Sequence, residues 1–390
     1  MPVIAHLIRK YLLPTETFIS NQIKYRFDFE PIILCFQKRD NVDNNFNKII
    51  SVTEEERGIN KIIDKFSYKF FRYISTKAHR ILSNYVNKNN VELLHFHYLV
   101  DARFFMKIKE QTGLPSLVSV YGWDVSSFPK KYFGLGLLYL KPIFTKMDYF
   151  IAMSRDMKND LLKLGCSEKK IIVHYHGIDT NRFINSERSY EDKEIITILV
   201  CGDLMIKKAQ HLTLRALRLV ETKKMSKKKF KVVFVGDGPM RSNLEKQVYE
   251  YGWVDKVNFF GHVNYSSEEL IKAYKEADMF SMPSITTPDS RKEGIPGTIV
   301  EAMASGLPVI SSYHAGIPEI IDHGLNGILI HEGDIDAMAR NFTDLLESPT
   351  LRKYLGNNAS QKAIAKLDII QASHNLEAIY KKIISGRVPV

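Results

Sequence analysis

Short runs of β-branched and aromatic residues alternate along the whole chain with stretches whose apolar positions recur at helical spacing. In the first half the strand-like runs are Val3–Ile8, Pro31–Cys35, Ile49–Val52, Leu93–Tyr98, Leu117–Tyr121, Tyr149–Met153 and Ile171–Tyr175. In the second half they are Ile196–Cys201, Lys231–Val235, Val257–Phe260, Met279–Met282, Val309–Ser311 and Gly327–Ile330. Helical patterns such as Thr15–Tyr25, Ser267–Ala277 and Asp336–Leu346 separate most of them. Such alternation predicts βαβ units with parallel sheets, hence an α/β protein. The polar, non-periodic stretch Asn185–Glu194 interrupts the pattern, and a new strand begins at Ile195. We therefore expect two domains, residues 1–185 and 195–370. The last helix, within 371–390 and carrying Leu376, Ile379 and Ile383, should pack back on the first domain. A length of 390 residues is too great for one typical core, and 45% apolar residues suffice to fill two.

Several strand candidates run directly into glycine, at Tyr121-Gly122, Val235-Gly236 and Phe260-Gly261. In open parallel sheets ligands bind beyond the carboxyl ends of the strands, where glycine lets backbone come close. The formal charge of +11 is uneven: residues 1–180 hold 27 Lys+Arg against 18 Asp+Glu, whereas residues 181–390 hold 28 against 26. A basic first half points to an anionic partner: nucleic acid, an anionic membrane or a phosphate-bearing substrate. Neither a zinc-finger spacing nor an aromatic RNA-binding motif supports nucleic acid. The three cysteines, Cys35, Cys166 and Cys201, are too scattered for a disulfide framework or a metal quartet and read as reduced core thiols. The opening MPVIAHLIRKYLLPTETF has no basic segment ahead of its apolar run, and the longest apolar run, Phe133–Leu140, is short of a membrane span. A cytoplasmic protein is expected, soluble or resting on the inner face of the membrane without crossing it.

The densest chemistry lies in Lys292–Pro308, KEGIPGTIVEAMASGLP. Glu293 and Glu301 are eight apart, with Gly294, Pro296 and Gly297 between them. Proline suits the first turn of a helix. Glu293 should then sit in the loop ahead of the helix, with Glu301 inside it after a rise of roughly 7 Å from Pro296. One carboxylate can face a sugar while the other reaches a ribose, and the free amides at the helix start can hold a diphosphate. For a bare E-x7-E, two solvated glutamates in the helix region would be the commoner explanation.

The surrounding residues decide otherwise, because this stretch resembles the donor-site signature of glycosyltransferase family 4, of the GT-B fold. The resemblance rests on Glu293-Gly294-Ile295-Pro296, Glu301-Ala302-Met303-Ala304-Ser305-Gly306-Leu307-Pro308-Val309, Gly316-Ile317-Pro318-Glu319 and Asp322-His323-Gly324-Leu325-Asn326-Gly327. Thr287-Pro288-Asp289 and the Ile-Pro form are similar to the bacterial exopolysaccharide branch, as in colanic-acid and amylovoran transferases. Upstream, His176-Gly177-Ile178-Asp179 with Phe183, Gly202–Lys208, Gly236-Asp237-Gly238-Pro239 and Phe260-Gly261-His262-Val263 follow in the family's order. So, more loosely, do Thr15-Glu16-Thr17-Phe18-Ile19 and Tyr121-Gly122-Trp123-Asp124.

The resemblance implies two Rossmann-like domains facing each other across a cleft, the first for the acceptor and the second for a nucleotide-sugar donor. It implies a retaining hexosyltransferase that needs no metal or cofactor, with a UDP-sugar favoured over a GDP-sugar. The acceptor would be a glycan or a lipid-linked saccharide in the synthesis of a bacterial capsule, exopolysaccharide or lipopolysaccharide. By position, Lys208 with Lys207 beside Gly202 would neutralise the diphosphate. Glu301 would bind the ribose, and Glu293 with the backbone of Gly294, Ile295 and Pro296 the transferred sugar. His262 and Val263 would meet the base through backbone atoms. Thr17, His97, Tyr121 and Asp124 would approach from the acceptor side, and Glu293, Lys208 and Asp124 are the catalytic candidates. Two positions depart from the family: Asp203 stands where it usually has Arg, and Tyr121 where many members have His.

Competing readings are a nucleotide-sugar epimerase or hydrolase of the same fold, and a non-catalytic sugar-nucleotide-binding subunit, which Asp203 alone favours. Gly236-Asp237-Gly238 opens like a dinucleotide fingerprint but has Arg241 at the third glycine, so a tight turn is expected. Asp334-Ile335-Asp336 resembles a metal-binding DxD but opens a helical pattern and reads as a cap. His95 and His97 share a strand face without an identifiable carboxylate, so metal binding is not expected. The basic, aromatic stretch Lys61–Lys88 suits either an anionic membrane or an ordinary helix over the first sheet. The family's lipid-linked acceptors tilt it toward the membrane.

Overall fold

A computed structural model describes residues 1–11, 17–38, 48–55, 75–131 and 133–386. Two units emerge: residues 1–176 together with 369–390, and residues 177–368.

Among the described residues the first unit holds seven strands: β1 (Val3–Tyr11), β2 (Glu30–Lys38), β3 (Ile49–Ser51), β4 (Val91–His97), β5 (Ser116–Val120), β6 (Tyr149–Ala152) and β7 (Ile171–Val173). They are parallel throughout, in the order β3-β2-β1-β4-β5-β6-β7. The second holds six: β8 (Ile195–Cys201), β9 (Lys229–Val235), β10 (Val257–Phe259), β11 (Met279–Met282), β12 (Val309–Ser312) and β13 (Ile328–Ile330). They too are parallel, in the order β10-β9-β8-β11-β12-β13. Both units are therefore Rossmann-like. Strand order reverses beside the first strand of each, between β1 and β4 and between β8 and β11, and such switch points are where open sheets bind ligands.

Strands such as β1 and β5 are buried along nearly their whole length, as expected for parallel strands covered by helices on both faces. Helix starts are fixed by side-chain caps. Ser154 accepts from the Met157 amide, Ser267 from Leu270 and Ser348 from Leu351. Asp334 accepts from the Ala337 amide at 2.8 Å, so the DxD-like residues serve as a helix cap. Of the stretch Lys61–Lys88, residues 61–74 lie outside the described residues. The remainder forms the helix Thr76–Lys88, with Ala78, His79, Leu82 and Val86 buried.

The final helix, Ile369–Ile384, belongs to the first unit, where Leu376, Tyr380 and Ile383 join the core and the Tyr380 hydroxyl meets His95 Nδ1 at 2.7 Å. The boundary lies earlier than the expected Asn185–Glu194. Residues from Gly177 onward already belong to the second unit, because the polar stretch is anchored rather than free. Arg188 Nη1 donates to the Ala277 carbonyl at 2.7 Å, Nη2 to Tyr274 at 2.6 Å and Nε to Ser305. The Tyr190 hydroxyl donates to the Gly306 carbonyl at 2.6 Å. Polar, non-periodic composition marks this segment as a linker, whereas its guanidinium is spent on carbonyls at helix ends.

Arg188→Ala strips three carbonyls of their donor. It is expected to lower the unfolding free energy of the second unit by about 2–4 kcal/mol, read as a shift of the urea midpoint, with Arg188→Lys recovering only part.

Candidate functional site

The site in the second unit begins where β8 ends. Gly202 follows with φ 128°, a conformation open to glycine, and a Cβ there would lie 3.6 Å from the Lys208 Cε and Nζ. Gly236, after β9, also has positive φ, and a Cβ on it would collide with the Gly202 carbonyl. The two loops are laced by Gly202 N–H to the Val235 carbonyl at 2.8 Å and Leu204 N–H to the Asp237 carbonyl at 2.9 Å. The Gly236-Asp237-Gly238 turn is thus a tight packing device. A single helical turn, Ile206–Lys208, is followed by Ala209 at φ 48°, unusual for a residue with a side chain. There the chain enters the helix Gln210–Thr222.

That turn directs both lysines at Glu293. Lys207 Nζ lies 3.1 Å and Lys208 Nζ 3.5 Å from Glu293 Oε1. Burial by itself would raise the Glu293 pKa, but Lys208 and Lys207 outweigh it and hold the carboxyl down to about 2. Lys208 Nζ is also 3.9 Å from the Met282 sulfur at the end of β11, which places it at the switch point. The Glu293 amide donates to His314 Nε2 at 3.0 Å. His314 must then carry its proton on Nδ1, which meets Glu332 Oε1 at 2.6 Å, while Glu332 accepts from the Thr286 amide at 2.8 Å. The Gly294 carbonyl accepts from Gly316 N–H at 3.2 Å. The loop carrying Glu293, Gly294 and Ile295 is thereby tied down from both sides.

Pro296 caps the helix Gly297–Ala304 rather than starting inside it, and Glu301 is buried one turn in. The Tyr274 hydroxyl donates to Glu301 Oε2 at 2.6 Å. Burial raises the Glu301 carboxyl to about 7 against the opposing pull of Tyr274, Arg182 and Lys208. Arg182 stacks over the Tyr265 ring at 4.8 Å. Asp203 is exposed, and its backbone carbonyl accepts from Gln210 Nε2 at 2.9 Å. His262 is exposed and Val263 half-buried in the loop after β10, two strands from the switch point.

In the first unit, Thr17 is the first residue of the helix Thr17–Lys24. Tyr121 donates to Gln22 Oε1 at 3.2 Å, so His97 Nδ1–H donates to the Tyr121 oxygen at 2.7 Å, and His6 Nδ1–H to His97 Nε2 at 3.0 Å. His95 meets Tyr380 and the Ser119 hydroxyl, each at 2.7 Å. The ring nitrogens of His6, His95 and His97 approach one another closely enough for a metal, but His95 and His97 spend both of theirs on neighbours. Burial keeps all three imidazoles neutral, with His6 down at about 3.

His97 was expected to approach the acceptor but lies wholly inside. Asp124 also departs from its expected role. It is fully buried and accepts from the Leu99 amide at 2.9 Å and from those of Tyr121 and Gly122 at 3.2 Å, with burial raising it to about 6. Its carboxylate clamps the loop it sits on.

With this geometry in view, two family descriptions match the chain: "Glycosyl transferases group 1" over residues 179–362 and "Glycosyltransferase Family 4" over residues 27–182. The two matches adjoin, so the chain carries a Glycosyltransferase Family 4 region followed by a Glycosyl transferases group 1 region. The amylovoran biosynthesis glycosyltransferase AmsK of Erwinia amylovora is 34% identical over 198 residues, 50% of this chain and 47% of that protein. The chain thus spans about half the length of that relative. The putative colanic acid biosynthesis glycosyltransferase WcaL of Escherichia coli is 26% identical over 369 residues, 86% of this chain and 89% of that one. The fold is shared with HepE of Anabaena, crystallised with UDP and also with UDP-glucose. For the UDP complex the TM-score is 0.76 at 16% identity, covering 98% of this chain and 100% of that one.

Tyr274, Arg182, His314 and Glu332 escaped the sequence reading. Tyr274 lies 27 residues from its partner on another helix, and only the ordinary helical pattern of Glu268–Glu276 marks its place.

The raised Glu301 pKa has a definite sign. The folded state binds this proton more tightly than the unfolded chain, so its stabilising contribution is full below about 4.5 and is lost as pH rises through about 7. Glu301→Gln should melt higher than wild type above about pH 8, by up to about 3 kcal/mol, with the difference closing below about pH 5. Thermal melts across that range measure it.

Proposed function

We propose that the chain is a retaining glycosyltransferase moving a hexose from a nucleoside-diphosphate sugar to a glycan or lipid-linked acceptor in the synthesis of a bacterial surface polysaccharide. The observation that carries this reading is the pair Lys207 and Lys208 gathered on Glu293 at the β8/β11 switch point. Two ammonium groups on one carboxylate leave a surplus positive charge beside a helix start, which suits a diphosphate. The names of the amylovoran and colanic-acid relatives support the pathway class. The UDP and UDP-glucose complexes of HepE support a UDP-sugar over a GDP-sugar.

In this mechanism the acceptor hydroxyl oxygen bonds to the anomeric carbon on the face from which the phosphate departs. The carbon–oxygen bond to the diphosphate breaks, and the hydroxyl proton passes to a phosphate oxygen. Lys207 and Lys208 stabilise the charge growing on the leaving diphosphate. Glu301, held by Tyr274, accepts from a ribose hydroxyl. The lysines serve the phosphates without a metal or cofactor, so EDTA is expected to leave the initial rate unchanged, and loss of activity restored by Mn2+ would overturn that part.

Lys208→Ala is expected to weaken UDP binding about 10- to 100-fold, since it removes a charge-assisted contact of roughly 1.5–3 kcal/mol. Glu293 faces the lysines as well as the sugar site. Glu293→Gln should therefore tighten UDP binding by up to about tenfold, through the release of a competing anion, while lowering kcat. Calorimetric titration with UDP and GDP, and NMR of the product's anomeric proton, test the two halves of the reading. Unchanged UDP affinity in Lys208→Ala would sink it.

A further inference from the structure

The surface that follows the Tyr121–Asp124 loop inverts the usual partition of apolar and polar positions. The helix Leu135–Lys146 buries Gly136, Leu140, Ile143 and Phe144, which share one side. Its other side should be polar, yet Leu135 and Leu138, three residues apart, are 58% and 57% exposed. Phe133, just ahead of the helix, is 107% exposed, and Trp123 is 38% exposed. One such residue would mean nothing, but four along a single segment mark a surface built to be covered.

The segment is held firmly. Phe133 and Gly134 take left-handed conformations at φ 56° and 89°. Gly136 sits so close to the Phe128 carbonyl that a Cβ would collide with it, and the Phe128 ring packs 5.1 Å from that of Trp123. Lysines flank the apolar residues: Lys130, Lys131 and Lys141 are exposed, and Lys131 Nζ lies 5.1 Å over the Trp123 ring. From Trp123 to Met147 the sequence holds one acid, Asp124, which is buried. Among the described residues no carboxylate pairs with Lys131 or Lys141.

We propose that this segment is a membrane-contact surface. Trp123, Phe133, Leu135 and Leu138 enter the boundary between headgroups and acyl chains of an anionic bilayer, and Lys131 and Lys141 rest on lipid phosphates. Protruding apolar side chains flanked by exposed lysines match such a bilayer in shape and charge. The inference deepens the reading above by naming where a lipid-linked acceptor is met. Its test reads binding without turnover, so the two can fail separately.

The test is flotation of the full chain with vesicles of phosphatidylcholine alone and with about one third phosphatidylglycerol. Binding is expected on the anionic vesicles only, weakened by salt. Phe133→Ser with Leu138→Ser, or Lys131→Glu with Lys141→Glu, should each reduce it at least about tenfold. The melting temperature and UDP affinity should be unchanged, since these side chains are exposed. Trp123 gives a direct report, because the other tryptophan, Trp253, is buried. Its emission should shift to the blue on binding and be quenched by lipids brominated in the acyl chain. Equal recovery with neutral vesicles, wild-type flotation by both double variants, or unquenched Trp123 would overturn the proposal. Self-association without lipid that Phe133→Ser with Leu138→Ser abolishes would reassign the surface to a second copy of the chain.

Discussion

Two ammonium groups share one carboxylate in the second unit, and much of the local architecture answers to that imbalance. An ionised glutamate taken out of water needs a partner, and Lys207 and Lys208 supply more charge than Glu293 requires. The loop that carries them turns at Gly202, whose φ of 128° favours glycine, and at Ala209 in a left-handed conformation. The Glu293 loop is held by the line from Glu332 through His314 to the Glu293 amide. The surplus cation leaves this trio of side chains net positive.

The fold was legible because parallel strands buried on both faces write themselves as continuous apolar runs. The β8, β9 and β11 segments and the glycine that ends β9 lie where the pattern placed them. Glu293 and Glu301 could be found because both sit in one short stretch. Their supports could not, since Tyr274, His314 and Glu332 arrive from other elements with no periodic mark of their own. The unit boundary was misplaced for a related reason. Composition reports the charge of Arg188 but not the carbonyls that consume it. Asp124 and His97 show the opposite error, in which a motif residue was taken as outward-facing although its polar atoms are committed inside.

Both units bury ionisable groups whose pKa values are shifted, in both directions. The first keeps His6, His95, His97, His174 and His176 neutral by burial. Each of these lowered imidazoles favours the unfolded chain as acid is added, so their own contribution to stability falls below about pH 6.5. The second holds Glu301 with a raised pKa, which favours its folded form on the acid side. Glu293, held down to about 2 in that unit, and Asp124, raised to about 6 in the first, act in the opposite sense to these groups, so neither unit responds to pH in one direction only.

The placement of the last helix has a consequence for the order of events during synthesis. Residues 177–368 form a continuous stretch, and everything that unit needs has been made once residue 368 leaves the ribosome. The first unit has most of its chain early but lacks Leu376, Tyr380 and Ile383, and the phenol that satisfies His95, until the helix Ile369–Ile384 emerges. The half that is translated first is thus completed last. Until then it keeps an apolar groove beside β1 and β4 open, which makes nascent chains stalled or truncated before Ile369 the form most in need of a chaperone.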